Sequence, residues 1–401
     1  MAKNNFFQID GQPIDNKIIE EFNLREYSRN LRFSRSLNSE VLDFVGFVIN
    51  DNSTLISLPK HYVSKLDQDT LGEADINLLF QVWITDQIRN ADNYTGPVKD
   101  FKTTFPFKAF YSIQQYYHQY GIYKETQTIA KPNYSGKISW KDTMRKAANI
   151  ISSNNLVFLP LFSKETQDKQ VFLSECMAFA ISYTLKRFPY FVKGQFPKGQ
   201  FQNFDFWSNH DYVVGRLKRI YSEVFKDIHK KLVKDLIEFY SNIPEGGEII
   251  IKHYNFELVW EAIVEKYLND NFSNTDSDRG LVFGENKAIE FKKERFYVDK
   301  NSSKNRIEPD HYYQGDTEQY IFDAKYYTQV STLNYKQVAY QSFLKKNQIV
   351  TSNALILPTD KDDKSKVHFE LKRDFFSREE DAVKIWEYYL NMKIAMENFI
   401  N

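Results

Sequence analysis

The amino-acid sequence predicts an α/β protein, mixed α+β overall, and three observations support this class. Residues 41–60, VLDFVGFVINDNSTLISLPK, form two apolar runs joined by the turn residues NDNS, which is typical of a pair of strands. Residues 75–91 repeat apolar side chains at the spacing of an amphipathic helix. Beyond residue 248 helical and strand-like patterns alternate, as they do in mixed α/β domains.

Further helices are predicted before residue 245, at 105–123, 170–188 and 216–240, the last with a strongly basic solvent side. The run LVFLPLF at 156–162 predicts a buried strand between them. Turn residues interrupt any regular element near 131–146.

Pro and paired Gly in IPEGGE, residues 243–248, indicate the main domain boundary. The predicted organisation is a mixed α/β domain at 1–125, a largely helical domain at 126–244 and a third domain at 245–401. In this last domain the patterns predict a helix at 254–271, a Ser/Asn/Asp-rich loop, a hairpin, a helix, a buried strand ALILP at 354–358 and a final helix from about 377 to 400.

Composition sets limits on function. The chain has 401 residues, 42% of them hydrophobic, which is a globular composition long enough for two or three domains. Its 53 basic and 53 acidic residues balance, so any nucleic-acid surface must be local. The lone Cys176 excludes an internal disulfide framework. No apolar run is long enough to cross a bilayer, and the first twenty residues lack a secretory pattern, so we expect a cytoplasmic protein without a membrane partner.

The stretch IEPDHYYQGDTEQYIFDAKYY, residues 307–327, places two carboxylates and a lysine in a predicted hairpin. If its turn centres on Asp316 and Thr317, Asp310 lies opposite Asp323, with Cβ atoms roughly 5 Å apart. Lys325 is two residues beyond Asp323 and points to the same face of the strand. Facing carboxylates repel, whereas a divalent cation stabilises them, and Mg2+ favours oxygen ligands of this kind. The pattern predicts a Mg2+ site at Asp310 and Asp323, with Lys325 as a catalytic cation.

Two neighbouring helices offer further groups. Glu257, Glu261 and Glu265 share one face of the 254–271 helix, and any of the three is a candidate third acid. The helix in NYKQVAYQSFLKK carries Lys336, Gln337 and Tyr340, whose side chains can approach a nucleic-acid backbone. We assign a DNA-binding role to Lys336, Tyr340, Lys345 and Lys346.

Other common sites are not supported by the sequence. The seven histidines show no ligand spacing with one another or with Cys176, which makes a zinc site unfavourable. GQFPKGQ, residues 194–200, lacks the spacing and the hydroxyl residue of a GxxxxGK[ST] loop, so the chain is not expected to bind a nucleoside triphosphate itself.

Pro309-Asp310 and Asp323-Ala324-Lys325 resemble the signature of the PD-(D/E)XK nuclease superfamily. More narrowly, six stretches resemble the LlaJI-type restriction endonucleases, relatives of McrC: FVGFVINDNSTLISLPK, GKISWKDTMRK, FELVWEAIVEKYL, RIEPD, IFDAKYY and YKQVAYQ. Together they run from about residue 44 to 341.

The resemblance implies a C-terminal restriction-endonuclease-like core, a central mixed sheet flanked by helices, preceded by a mixed, largely helical N-terminal region. It implies cleavage of double-stranded DNA with Mg2+, metal-binding acids at Asp310, Asp323 and Glu261, a catalytic Lys325 and an accessory Gln337. In relatives of this type the nuclease works beside a McrB-like GTPase of the AAA+ class, with the N-terminal part engaging that subunit. Double-strand cleavage with one site per chain further predicts a homodimer or larger assembly.

Two alternatives stay open. A stand-alone type II site-specific restriction endonuclease would read DNA with residues 1–240, for which the basic helix at 216–235 and the segment 196–207 are candidates. A non-catalytic DNA-binding or scaffolding subunit would keep a decayed nuclease fold, against which the intact acid–acid–lysine set argues.

Overall fold

A computed structural model describes residues 4–50, 53–91, 101–133, 135–152, 155–189, 191–192, 194–198, 206, 209–244, 249–284, 289–302, 304–327, 330, 332–346, 348–376, 378 and 382–401. In these ranges the helices are α1 (Asn16–Glu21), α2 (Glu73–Ala91), α3 (Phe107–Tyr120), α4 (Trp140–Lys146), α5 (Phe172–Arg187), α6 (His210–Glu223), α7 (Asp227–Asn242), α8 (Phe256–Asn271), α9 (Tyr335–Leu344) and α10 (Met392–Ile400). None of them combines the length and apolar composition needed to span a bilayer.

The strands alternate with these helices along the chain. The first ten are β1 (Asn4–Ile9), β2 (Leu31–Ser34), β3 (Ser39–Leu42), β4 (Val45–Ile49), β5 (Ser53–Leu58), β6 (Phe101–Thr103), β7 (Glu125–Pro132), β8 (Ala148–Ser152), β9 (Asn155–Leu159) and β10 (Phe162–Lys169). The others are β11 (Ile249–His253), β12 (Phe272–Asp276), β13 (Gly280–Phe283), β14 (Phe296–Tyr297), β15 (Arg306–Ile307), β16 (His311–Gln314), β17 (Glu318–Ala324), β18 (Val350–Thr359), β19 (Lys364–Glu370) and β20 (Lys384–Asn391). The mixed α+β class is therefore confirmed.

The chain forms two compact units, one of residues 1–104 with 246–401 and one of residues 105–245. This division differs from the three predicted domains because strand β11, which follows the predicted boundary, pairs with β4 and β6 of the N-terminal sheet. Residues 245–248 of the predicted boundary itself lie outside the described residues.

The N-terminal sheet of the first unit has the strand order β1-β5-β4-β11-β6. Its centre is the predicted strand pair at 41–60, observed as the antiparallel pair β4–β5, and every residue of both strands is buried. A core beside it joins Ile19, Phe22, Leu24, Leu42, Phe44, Val48 and Leu55. Burial on both faces explains why these strands read as continuous apolar runs.

The C-terminal sheet of the same unit has the order β16-β17-β18-β20-β19. Strands β17, β18 and β20 run parallel to one another, while β16 and β19 pair antiparallel at the edges. Helices α8 and α9 pack against β17, α9 also packs against β18, and α10 follows and contacts β20. The expected central mixed sheet flanked by helices is present, and the predicted helix at 254–271 and strand at 354–358 are observed as α8 and β18.

The final helix predicted at 377–400 is wrong over its first half. Residues Lys384–Asn391 form β20, and the helix α10 begins only at Met392. Strand β20 is mostly buried between β18 and β19, so it shows no polar alternation that would distinguish it from a helix.

The second unit contains α3 to α7 and the two hairpins β7–β10 and β8–β9. Helices α3 and α5 confirm predicted helices, but the 216–240 segment is two helices, α6 and α7, that are separated at Val224–Lys226. The predicted buried strand at 156–162 is also wrong, because β9 is largely exposed and ends at Leu159. Most of the 196–207 segment lies outside the described residues.

Candidate active site

The β16–β17 hairpin brings the two predicted aspartates together. His311 pairs with Phe322 and Gln314 with Gln319, which is the predicted register, and Asp310 directly precedes β16 opposite Asp323. The two carboxyl groups are close enough to form a hydrogen bond when one of them is protonated. The sequence-based placement of these acids is therefore confirmed, although their chemical role is a separate question.

The aspartate pair is enclosed by the protein. Asp323 is fully buried and Asp310 is 6% exposed. Burial and the nearby charge of Asp323 raise the pKa of Asp310 to about 7. Burial would also raise the pKa of Asp323, but the charge of Lys325 and the hydrogen bond from Asp310 outweigh burial and lower it. Near neutral pH, in the absence of a cation, Asp310 carries a proton that it donates to ionised Asp323.

The Asp323 carboxylate forms ion pairs with two lysine side chains. Lys325 Nζ forms an ion pair with Asp323 Oδ2, and its side chain is only 13% exposed. Lys336 Nζ, from α9, lies 3.3 Å from Asp323 Oδ1 and is half exposed. Burial would lower the pKa of Lys336, but the charge of Asp323 outweighs burial and raises it, so this lysine stays charged. Positive charge thus flanks the carboxylates where an anionic substrate would approach.

Lys293 connects Glu261 of α8 to the aspartate pair by forming ion pairs with both Glu261 and Asp310. Lys293 Nζ lies 2.9 Å from Glu261 Oε2 and 3.6 Å from Asp310 Oδ1. Of the three candidate glutamates, Glu261 is the one whose charge acts on the pKa of Asp310. Across the residues that the structure describes, no group of three or more acidic, histidine or cysteine side chains is arranged to hold a metal ion. A cation at this site would therefore find two adjacent carboxylates, Asp310 and Asp323. The third acid, Glu261, is separated from them by Lys293.

The remaining predicted site residues of α9 support the sheet. Gln337 is fully buried and its side-chain amide donates to the Ala354 carbonyl at 3.3 Å. Tyr340 is also buried and its hydroxyl donates to the Glu308 carbonyl at 2.7 Å. These bonds fix α9 against the hairpin and so position Lys336.

The last two predicted DNA-binding lysines lie at the end of α9, away from the acids. Lys346 Nζ donates to Gln314 Oε1 on β16, and the backbone N–H of Lys345 caps the helix by donating to the Gln341 carbonyl at 3.1 Å.

Comparison with known proteins gives the family. The family model of the LlaJI restriction endonuclease matches residues 44–393. The chain belongs to the LlaJI restriction endonuclease family. A search of curated proteins gave no match.

Two solved structures are similar to this LlaJI-family chain. One, from Thermococcus gammatolerans, is a half-complex of a tetradecameric assembly of McrB AAA+ hexamers with bound McrC; it shows 14% identity and a TM-score of 0.43, and the alignment covers 100% of this chain and 98% of that chain. The other is the cryo-EM structure of the Thermococcus gammatolerans McrBC complex, with 11% identity, a TM-score of 0.26, and coverage of 66% of this chain and 88% of that chain.

Two residues at the site of this LlaJI-family chain escaped sequence reasoning. Lys293 lies in a stretch without regular periodicity, so nothing in the sequence indicated that it joins Glu261 to Asp310. His311 is 1% exposed, and neither ring nitrogen has a hydrogen-bond partner among the described residues. Burial lowers the pKa of His311 to about 3, so this ring is neutral and adds no charge to the site.

The segment after Lys325 is anchored to the N-terminal sheet of the same unit. The Lys60 backbone N–H donates to Tyr326 Oη at 2.7 Å, and Lys60 Nζ lies 4.5 Å from the centre of the Tyr326 ring. The Tyr326 hydroxyl is also hydrogen-bonded to the buried Asp10. The residue next to the candidate catalytic lysine of this LlaJI-family chain is therefore fixed by the end of strand β5.

Proposed function

We propose that this chain is the DNA-cleaving subunit of a restriction system and hydrolyses phosphodiester bonds with Mg2+ at Asp310 and Asp323. One observation supports the proposal above all: two buried carboxyl groups lie opposite each other on a hairpin beside the ammonium group of Lys325, in a member of a restriction endonuclease family. Such a pair is unfavourable when both groups are ionised, and a divalent cation reverses that cost.

The donor set fits Mg2+. This ion commonly takes one or two carboxylates and keeps several waters, which matches a site with two adjacent aspartates and a third acid further away. Asp310 and Asp323 would bind the ion, and Glu261 would act on its water ligands from the outer side. Bound there, Mg2+ would activate a water molecule and neutralise charge on the phosphate.

The side chains of the chain supply the other functions. Lys325, held by Asp323, hydrogen-bonds to the attacking water or to a phosphate oxygen on which negative charge builds. Lys336 adds a second positive charge on the exposed side of Asp323, and the Glu261–Lys293 pair keeps Asp310 in place. The oxygen of the water forms a bond to phosphorus, and the bond from phosphorus to the leaving sugar oxygen breaks.

Plasmid cleavage tests the proposal. The full chain is incubated with supercoiled plasmid and Mg2+, with EDTA in a parallel sample, and the variants Asp323→Asn and Lys325→Ala are compared with Asp316→Asn. Asp316 is an exposed residue in the turn of the same hairpin, so its substitution should leave nicking unchanged. We expect each of the first two variants to lose at least 100-fold in rate, on the order reported for loss of one charge-stabilising group. Cleavage that persists in both would remove these residues from the mechanism.

We further propose a McrB-like AAA+ GTPase as partner. The sequence holds no phosphate-binding loop of its own, and the McrC-related resemblance implies a nuclease that works beside a separate motor subunit. An exposed apolar hairpin in the second unit offers a surface for such a protein. Running the plasmid assay with and without the GTPase of the same gene cluster and GTP separates partner-dependent cleavage from that of a stand-alone type II enzyme. A dimer or larger assembly is proposed for double-strand cleavage.

A further inference from the structure

A second charged surface lies on the same face of the C-terminal sheet as the aspartate pair. Across the sheet Asp323 is in register with Leu355, Leu355 with Glu387, and Glu387 with Lys366. Residues in register on neighbouring strands point to the same face, and each step between strands is about 4.8 Å. The Lys366 backbone is therefore about 14 Å from that of Asp323 on the same face of the sheet.

This surface forms a basic pocket of about 500 Å³ at the ends of β18 and β20. Lys361, Lys364 and Lys366 line it, together with the Tyr389 side chain. Among the described residues of the lining, Asp360 is the one carboxylate, and it accepts a hydrogen bond from the hydroxyl of a serine outside the pocket. The described lining carries three lysines against one carboxylate in a chain whose net charge is zero, so the pocket has a local excess of positive charge that can attract an anion.

A buried acid organises the donors of the pocket. Glu387 is 2% exposed; Lys366 Nζ lies 2.9 Å and His368 Nδ1 2.6 Å from its carboxylate, and Tyr389 donates its hydroxyl to the same group. The ammonium groups of Lys364 and Lys366 lie 5.2 and 5.3 Å from the centre of the Tyr389 ring, so both lysines are beside this ring.

Glu387 also stays ionised. Burial would raise its pKa, but hydrogen bonds from Tyr389, Lys366 and His368 outweigh burial and lower it. Lys366 and the Tyr389 hydroxyl are therefore held in place before any ligand arrives.

We propose that this pocket, through Lys361, Lys364 and Lys366, binds a backbone phosphate of the DNA a few nucleotides from the scissile phosphate. The inference rests on the proposed function, because it takes DNA as the substrate. Ammonium groups bind phosphate as point charges, and a contact about 14 Å from Asp323 on the same face would fix the position of the duplex over the acids. Such a contact carries no base information, so it would act on every sequence alike.

The salt dependence of DNA binding tests this proposal. Affinity of the full chain for a fluorescent duplex of about 30 base pairs is measured in EDTA, which prevents cleavage, over a series of KCl concentrations. The test variant is Lys361→Gln/Lys364→Gln, which leaves the Lys366–Glu387 ion pair in place. The matched control is Lys17→Gln, an exposed lysine of α1 in the same unit. Thermal unfolding of each variant confirms that it is folded.

The expected result is a plot of log K against log[KCl] that is less steep by up to about 1 in the double variant, because the pocket is assigned one phosphate and each phosphate contact contributes about 0.9 to the slope. Two duplexes of unrelated sequence should lose affinity equally, and Lys17→Gln should match the wild type. An unchanged slope in the double variant, or an equal change in the control, would overturn the pocket assignment while leaving the proposed cleavage function intact. A wild type that neither binds duplex nor nicks plasmid with Mg2+ would overturn both.

Competition with inorganic phosphate at constant ionic strength tests whether the pocket binds free phosphate ions and not the phosphates of DNA. We expect millimolar phosphate to leave duplex binding unchanged, because one phosphate alone lacks the neighbouring contacts along the DNA. If phosphate competed with DNA in the wild type and not in Lys361→Gln/Lys364→Gln, the pocket would be a site for free anions, and the assignment to DNA would be wrong.

Discussion

At the scale of single residues, the site is built on two carboxyl groups that differ in their protonation. Asp310 keeps its proton to about pH 7 because it is buried against Asp323, whereas Asp323 is kept ionised mainly by Lys325. The hydrogen bond between them exists only while Asp310 is protonated. A cation that replaces this proton must therefore bind more tightly as the pH rises.

The first prediction concerns stability without metal. The pKa of Asp310 is about 7 in the folded chain and 3.8 when unperturbed, so the folded state holds the proton more tightly than the unfolded state. The contribution of this proton to the free energy of unfolding is complete below pH 3.8. It is lost as the pH rises through 7, at up to about 1.4 kcal/mol per pH unit. In Asp310→Asn the amide donates to Asp323 at every pH, so this loss should disappear. Urea unfolding in EDTA at pH 5 and pH 8 measures this loss of stability. The same loss in the wild type and in Asp310→Asn would show that the proton on Asp310 is not its cause.

The second prediction concerns metal affinity. If Mg2+ binds at the proposed site, it displaces the proton of Asp310, so the Mg2+ affinity of the wild type should rise by up to tenfold per pH unit from pH 5.5 to 7 and level off above. Calorimetric titration of the full chain with MgCl2 at several pH values measures this. Asp323→Asn serves as the control without a functional pair, and an affinity that does not depend on pH would show that Asp310 is not a ligand.

Residue types and their spacing were enough to predict part of this site. Asp310, Asp323 and Lys325 lie within one hairpin, so turn geometry and the two-residue period of a strand placed them correctly. Lys293 and Glu261 are separated in sequence and meet only because α8 packs beside the hairpin. A contact between residues so far apart in sequence cannot be predicted from a local sequence pattern.

At the scale of elements, sequence patterns predicted the helix α8 and the buried strands β4, β5 and β18, but not the strand β20. α8 shows a clear apolar stripe and was predicted within two residues at its start. β20 leads directly into α10, with Asn391 as both the last residue of the strand and the N-cap of the helix, so the apolar pattern continues across two kinds of structure. The parallel pairing that makes β20 a strand involves β18, which is distant in sequence.

The third prediction concerns the packing of the N-terminal sheet. Gly46 has φ +141° on β4, and a Cβ atom there would overlap the backbone carbonyl of Ile251 on β11. Gly46→Ala should therefore cost several kcal/mol, since it adds backbone strain to a steric clash in a buried strand pair. Gly72→Ala is the matched control, because a Cβ there has open space around it. Urea unfolding of both measures the difference; equal stability would show that the β4–β11 pairing is not as close as described.

At the scale of the whole molecule, the second unit is inserted in the chain of the first. Strands β6 and β11 lie on either side of residues 105–245 in sequence, yet they pair with each other in one sheet. Composition placed a boundary near the right position but could not show that the chain returns to the earlier sheet, because pairing between distant strands leaves no local signal.

The fourth prediction concerns the link between the N-terminal sheet and the segment after Lys325. Tyr326→Phe removes a hydroxyl that accepts from Lys60 and bonds to Asp10, so it leaves buried polar groups unpaired. We expect a loss of about 1–3 kcal/mol in unfolding free energy. We also expect a lower rate of plasmid cleavage at saturating DNA with Mg2+ affinity unchanged. Tyr327→Phe, at a ring that is 55% exposed, is the control. A cleavage rate that did not change would limit Tyr326 to a structural role.

The last prediction concerns the proposed GTPase partner and the β8–β9 hairpin of the second unit. Ile150 pairs with Val157 and Ile151 with Leu156, and all four side chains are exposed. Successive residues of a strand point to opposite faces, so the hairpin presents apolar side chains on both faces. Exposed apolar side chains do not stabilise an isolated chain. Insertion of the hairpin into a partner would bury both faces, and each Å² of apolar surface removed from water would stabilise the complex by about 25 cal/mol.

Ile151 is 80% exposed, so Ile151→Asp should not affect folding but should weaken co-purification with the AAA+ GTPase by tenfold or more. Gln127→Asp, an exposed position on β7 of the same unit, adds the same charge outside the patch and should bind the partner normally. Nicking by the chain alone should be equal in the two variants, because neither touches the aspartate pair. Normal GTPase binding by Ile151→Asp would show that the partner engages a different surface, and loss of binding in both variants would show that added charge, and not the apolar hairpin, disrupts the complex.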